Sequence, residues 1–415
     1  MFLRDQIQRG RFRRSESFRE SRDEAATVMP VKICDVTQFY SPLSGGVKRY
    51  VHEKLQWIQT KSPDDEHILI IPGEKTEVIG GDRSRLYSIR SPLVSRSSGY
   101  RALVNLRAIA EIMEGERPDI IESSDPYQVG WKAVSVGRSL RIPVVGFYHS
   151  HFPEAHLHGP ARFLLPAARR YVRNLYNRFE ATLVPSEQLA RVLGDWGVRN
   201  VRAAKLGVNT KTFSPSPDDR AETRSSLGTL SDRKLLLYVG RLAPEKNTET
   251  LFAAFEILAK RRPHEFELLV IGSGPHWEKL RQLQAETGNV KWIQYCTDSI
   301  ELARFYRSAD LFVHPGIQET FGLVALESQA CGTPVIGVRG SRMDQIILHG
   351  QESWALGNTP AALADAIEEF CRKDLRAAGR VAAEAVAGDY SWPRVFDGVF
   401  CIYRDVCANY RKPKV

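Results

Sequence analysis

The sequence predicts an α/β protein made of two doubly wound units that face each other across a cleft. Three observations predict it. Short β-rich runs alternate with amphipathic helical stretches along most of the chain. The alternation stops once, in a Ser-, Pro- and Asp-rich stretch around residues 214–229 with the composition of a linker, and then resumes. The 415 residues also exceed what one hydrophobic core usually covers. Apolar strands alternating with helices imply parallel sheets covered on both faces.

In the first unit, strands are expected at 31–36, 67–71, 119–122, 142–149 and 181–185. The clearest helix follows the first strand, where Val47, Tyr50, Val51, Leu55 and Ile58 share one face at helical spacing. In the second unit, strands are expected at 235–240, 267–272, 290–295, 311–314 and 334–338. The expected division is an arm at 1–28, a Rossmann-like unit at 29–215, a second at 216–390 and a terminal helix at 391–415. The arm holds seven arginines and five acids with hardly any apolar periodicity, which predicts disorder. It lacks the apolar segment of a secretory signal, and Met29 offers a later start of translation.

Hydrophobic residues make up 43% and charged residues 26%, the balance of a globular protein. No apolar run approaches the ~20 residues of a spanning helix. Six cysteines without a CxxC pair suggest reduced thiols and a cytoplasmic setting. A net charge of +9 suits phosphate-rich ligands, an anionic membrane surface or nucleic acid alike. No aromatic-studded basic strand or compact recognition helix accompanies it, so nucleic acid is not expected as a partner. The stretch 161–179 sets Arg162, Arg169, Arg170, Arg173 and Arg178 beside Leu164, Leu165, Val172, Leu175, Tyr176 and Phe179. Such a helix either lies on anionic lipid, which makes a peripheral membrane association one expectation, or is a domain helix with a solvated basic face.

Four segments carry candidate chemistry. Residues 315–327 read as a strand exit, a turn and a helix opening near Gly322. Free amides at a helix start form an anion site, and glycine lets a phosphate come close. Glu319 before the turn and Glu327 inside the helix could then hold hydroxyls on either side of the phosphates, or be a capping acid and a solvated glutamate. Residues 240–247 leave the first strand of the second unit with Arg241 and Lys246, two cations placed to neutralise a diphosphate. A lysine at a helix start is unfavourable unless an anion binds there. In the first unit, Gly45 and Gly46 join strand to helix and permit a close ligand approach, as they would in any such turn. His149 ends a strand, with His151 as the alternative.

Here the chain resembles glycosyltransferase family 4, whose second domain carries an E-x7-E motif matched by Glu319 and Glu327 with Phe321 and Gly322 between them. The resemblance spans about residues 30–410. It implies the GT-B architecture and a retaining transfer of a hexose from a nucleotide-diphosphate sugar. By that resemblance Glu327 holds the donor ribose, Glu319 faces the donor sugar, and the amides of Leu323 and Val324 meet the distal phosphate. The Gly45–Gly46 loop faces the phosphates and acceptor, His149 stands near the transferred sugar, and a helix after Tyr390-Ser391-Trp392 crosses back onto the first domain. Leu43 stands where the glycogen-synthase type has lysine, which argues against that branch. Residues 340–344 lack the family's glycine-rich, glutamate-ended turn, and Asn209 replaces a usual Asp, so donor sugar or acceptor tolerance can differ.

No DxD triplet or metal-ligand spacing occurs, so a metal-independent enzyme without a cofactor is expected. GDP-mannose is the first expected donor and UDP-glucose or UDP-galactose the second; the acceptor is a glycan or lipid-linked sugar. The competing readings are a sugar-nucleotide epimerase on the same architecture and a noncatalytic nucleotide-sugar-binding protein.

Overall fold

The computed structural model describes residues 30–40, 46–62, 64–81, 83–94, 99–149, 153, 157, 159–216, 218–317, 321–350 and 353–411. The arm at 1–28, Met29, Leu43, Gly45, His151 and Glu319 lie outside them.

The first unit runs β1 (Lys32–Val36), α1 (Gly46–Lys61), β2 (Glu66–Gly73), β3 (Glu77–Gly81), β4 (Ser84–Arg90), α2 (Leu106–Glu116) and β5 (Ile120–Ser123). It continues with α3 (Gln128–Leu140), β6 (Val144–Phe147), α4 (Leu165–Tyr176), β7 (Ala181–Val184), α5 (Glu187–Asp195) and β8 (Val201–Ala203). Its sheet has the order β3-β4-β2-β1-β5-β6-β7-β8, parallel except for the β3–β4 hairpin. Every residue of β5, β6 and β7 is buried, because helices cover both faces of the sheet.

The second unit runs α6 (Asp218–Ser226), β9 (Lys234–Val239), α7 (Thr248–Arg261), β10 (Phe266–Ile271), α8 (Trp277–Thr287), β11 (Val290–Ile293) and α9 (Ser299–Ser308). Then come β12 (Leu311–Val313), α10 (Leu323–Ala330), β13 (Val335–Val338), β14 (Trp354–Ala355), α11 (Pro360–Phe370), α12 (Leu375–Asp389) and α13 (Trp392–Arg411). The sheet order is β11-β10-β9-β12-β13-β14, all parallel. The chain is therefore a pair of Rossmann-like domains, the GT-B arrangement.

Three local differences from the sequence reading have physical causes. The stretch around 214–229 is not only a linker: it contains α6, whose Arg220 and Arg224 dock on Asp310 at 2.6 and 3.0 Å. Its polar composition hides a helix held by ion pairs instead of an apolar face. The β3–β4 hairpin escaped notice because β3 is wholly exposed and lacks a buried, alternating face. The basic stretch is broken, with a 3-10 turn over Gly159–Leu164 leading into α4.

α13 returns to the first unit and packs on α1, where the Trp57 and Phe400 rings lie 4.4 Å apart. The return is clamped at the junction. Val208 N–H donates to the Tyr390 carbonyl at 2.7 Å, and Trp392 N–H donates to the Val208 carbonyl at 3.3 Å. This arrangement sets two topological switch points against one cleft. β1 lies between β2 and β5 in the first sheet, and β9 lies between β10 and β12 in the second. Ligands of doubly wound sheets bind at the carboxyl ends of strands where the order reverses.

Candidate active site

The two segments singled out in the second unit leave β9 and β12, the strands that flank its switch point. After β9, a 3-10 turn over Pro244–Lys246 ends at Asn247, which has a left-handed backbone with φ 55°. Asn247 Nδ2 donates to the Pro315 carbonyl at 2.8 Å, and Thr250 Oγ1 donates to Asn247 Oδ1 at 2.8 Å. One side chain thus ties the Arg241–Lys246 loop to the loop that opens α10. The loop after β10 supports the first of these, with Leu242 N–H donating to the Ser273 carbonyl at 2.9 Å. A Cβ on Gly272 would stand 1.9 Å from the Gly240 carbonyl oxygen, so only glycine allows the two backbones to come this close.

Arg241 is exposed and pairs with Glu245 one turn ahead, while its own carbonyl accepts from Tyr238 Oη at 2.9 Å. An exposed pair of this type contributes little to stability, so the guanidinium exchanges readily onto an anion. Lys246 is half-buried at the end of the 3-10 turn. Gly322 caps α10 with φ 83°, a region costly for other residues, and supplies no capping side chain. The first-turn amides of Leu323 and Val324 belong to the group a helix leaves without an internal acceptor.

Glu327 follows Leu323 by one helical turn, is 2% exposed, and receives Tyr306 Oη on Oε2 at 3.1 Å. Its Oε1 pairs with Arg49, which belongs to α1 in the other unit. The neighbouring Tyr50 packs its ring 5.0 Å from that of His149. α1 therefore touches Glu327 through one residue and His149 through the next, which brings the two predicted sides together. Gly46 opens α1, and among the described residues a Cβ there would meet no atom within 4 Å. The His149 ring stacks on Phe147 with centroids 3.9 Å apart, and its Nε2 has no hydrogen-bond partner among the described residues. Burial, with Lys54 as the next cause, lowers its pKa to about 3, so the ring is neutral.

Residues 44–212 match the profile described as Glycosyltransferase Family 4, and residues 219–385 match Glycosyl transferases group 1. Over 378 residues the chain is 30% identical to a GDP-mannose-dependent alpha-(1-6)-phosphatidylinositol dimannoside mannosyltransferase of Mycobacterium tuberculosis, covering 88% of this chain and 93% of that one. The chain belongs to glycosyltransferase family 4. A GDP-mannose-dependent alpha-mannosyltransferase of Corynebacterium glutamicum is 28% identical over 399 residues, 92% of this chain and 90% of the relative. Among solved structures, a sucrose-phosphate synthase from Thermosynechococcus elongatus superposes with a TM-score of 0.75 at 21% identity, over 91% of this chain and 100% of that one. The fold is GT-B and the enzyme a hexose-transferring glycosyltransferase.

The transferase has further polar residues at its first switch point that the sequence reading missed. Lys54 is fully buried and donates to Asp35 at 2.9 Å, Glu122 at 3.1 Å and Tyr403 Oη at 2.8 Å. His67 Nε2 lies 2.6 Å from the other Asp35 oxygen. Burial pushes the Asp35 carboxyl up, but Lys54 and His67 outweigh it and hold the pKa at about 2. For Glu122 burial prevails over Lys54 and lifts the pKa to about 7. The available signal was a carboxylate inside each of two buried apolar strands, β1 and β5. Asp125, in the loop after β5, was missed as well. It is fully buried, accepts Tyr127 N–H at 2.7 Å, and is raised to about 7 by burial against hydrogen bonds from Tyr127 and Gln38.

Proposed function

We propose that this family 4 enzyme takes GDP-mannose as donor and passes the hexose, with retention, to a glycan or lipid-linked acceptor. The observation that carries the donor site is the Asn247–Pro315 bond, which presents two cations and one open helix start as a single anion-binding surface. Arg241, Lys246 and the Leu323 and Val324 amides neutralise the diphosphate; Gly322 and the Gly45–Gly46 loop admit it closely. Glu327 holds the ribose, and Glu319 supports the sugar hydroxyls. His149, neutral and with a free ring nitrogen, hydrogen-bonds a sugar hydroxyl. As the anomeric C–O bond breaks, its electron pair passes to the leaving phosphate oxygen, which takes the proton of the acceptor hydroxyl while the acceptor oxygen bonds the same face of the sugar. Full-length relatives named as GDP-mannose-dependent support the choice of donor.

Two surfaces of the first unit support an acceptor with an apolar part at a membrane. A groove of about 480 Å³ is lined by Tyr40, Ile71, Ile79, Leu86 and Leu93, with Arg101 and Glu74 also in its wall. At the 3-10 turn before α4, Phe163 is 77% exposed beside exposed Arg162, Arg169 and Arg170. Among the described residues no helix is long and apolar enough to cross a membrane, so the proposed association is peripheral.

The test is a thermal-shift panel of GDP, GDP-mannose, UDP, UDP-glucose and UDP-galactose, followed by transfer assays with the ligands that bind. GDP and GDP-mannose at about 100 times their dissociation constants should add ~2.7 kcal/mol to folding stability. Stabilisation by the uridine set alone would replace the donor, and no shift from any nucleotide would remove the site.

A further inference from the structure

Glu327 is held from two directions, by Tyr306 of α9 in its own unit and by Arg49 of α1 in the opposite one. A carboxylate offers about four acceptor positions, so the two contacts fix its plane and leave positions for two more donors. Arg49 is itself placed by neighbours. Glu53, one turn further along α1, adds to the charge around it, and Asn209 Nδ2 donates to Glu53 at 3.3 Å. A polar chain therefore runs from the junction segment at Asn209 through Glu53 and Arg49 to Glu327 and Tyr306, crossing from the first unit to the second.

From this geometry we infer that Arg49 is a positioning residue for donor recognition, orienting Glu327 from across the cleft so that its free lone pairs meet the two ribose hydroxyls. The inference rests on the reading of Glu327 as the ribose acceptor. It has a consequence for binding: the ribose clamp is complete only when the first unit presents α1 to the second, so recognition of the sugar part of the nucleotide is coupled to the apposition of the units. The proposed diphosphate contacts of Arg241, Lys246 and the first turn of α10 lie on the second unit and do not depend on Arg49.

The test is the preference for a ribonucleotide over its 2′,3′-dideoxy analogue, measured by calorimetry as the ratio of dissociation constants for GDP and dideoxy-GDP, or the uridine pair if UDP is the nucleotide bound. Wild type, Arg49→Met, Arg49→Lys and Glu327→Gln are compared, with thermal melts to verify folding. Hydrogen bonds to a charged acceptor predict a wild-type preference of about tenfold or more. Arg49→Met should lose most of that preference while binding the dideoxy nucleotide as wild type does, and Arg49→Lys, which keeps the charge, should recover part of it. Unchanged preference in Arg49→Met, together with its loss in Glu327→Gln, would overturn the role of Arg49 and leave the ribose reading standing. Tighter GDP binding by Arg49→Met would overturn it too, since Arg49 would then be an occupant that the ribose must displace. Unchanged preference in Glu327→Gln would remove the ribose reading and the inference with it.

Discussion

The two walls of the cleft are built by different means. On the second unit, the groups proposed to meet the anion are backbone amides and an exposed side chain: the first turn of α10 behind a left-handed Gly322, and an Arg241 that pairs four residues ahead, on two loops tied to each other by Asn247. On the first unit, the wall behind His149 depends on side chains distant in sequence, with Lys54 binding Asp35, Glu122 and Tyr403 across separations of 19, 68 and 349 residues. The first kind of wall can lose an exposed side chain such as Arg241 without losing its shape. The second kind cannot.

The sharpest way to break that contrast is Lys54→Met. It leaves Asp35 and Glu122 buried without their shared cation, which should cost ~3–5 kcal/mol of stability, read by denaturant titration. Arg241→Ala, in the other wall, should change stability by less than ~0.5 kcal/mol. Equal losses in the two variants would erase the distinction. Next in size is Glu319→Ala, expected to reduce transfer by roughly 10²-fold with the melting temperature and nucleotide binding intact. Single-turnover transfer checks it, and an unchanged rate would take Glu319 out of the sugar site.

Gly322→Ala should cost ~1–2 kcal/mol through its positive φ, together with weakened nucleotide binding. An unaffected melting temperature would count against the strained helix start. The last effect is in pH dependence, where it is read as a slope. The Asp125 carboxyl is raised from 3.8 to about 7 in the folded protein, so its contribution is complete below pH 3.8 and lost as pH rises through 7. Asp125→Asn should flatten that decline by at most ~1.4 kcal/mol per pH unit, seen in melting temperatures across the same window. Identical pH slopes in wild type and variant would mean that Asp125 titrates as an ordinary carboxylate.

The same contrast explains what was legible in the sequence. Residues 315–327 encode a turn, a helix start and two carboxylates within one contiguous stretch, so the likeness to family 4 and the GT-B fold could be read there. Glycine and left-handed Asn247 announce turns locally, although the Asn247–Pro315 tie spans 68 residues and left no trace in the pattern. The face of α1 was read from Tyr50, Val51 and Ile58, all buried as periodicity requires. Lys54 and Trp57 are buried on it too, while Leu55 is only partly so. A core lysine contradicts the apolar pattern and is intelligible only once β1, β5 and α13 have brought Asp35, Glu122 and Tyr403 around it. Arg49 escaped for a similar reason, since nothing near it in sequence points to Glu327 on the other unit.

The central claim is that the two loops flanking the second switch point grip a nucleoside diphosphate. The most direct measurement is the calorimetric dissociation constant of GDP for wild type and Arg241→Ala at matched ionic strength. The account predicts at least about tenfold weaker binding by the variant, the loss of one charge-assisted contact, with an unchanged melting temperature. Equal affinity in two folded proteins would contradict it.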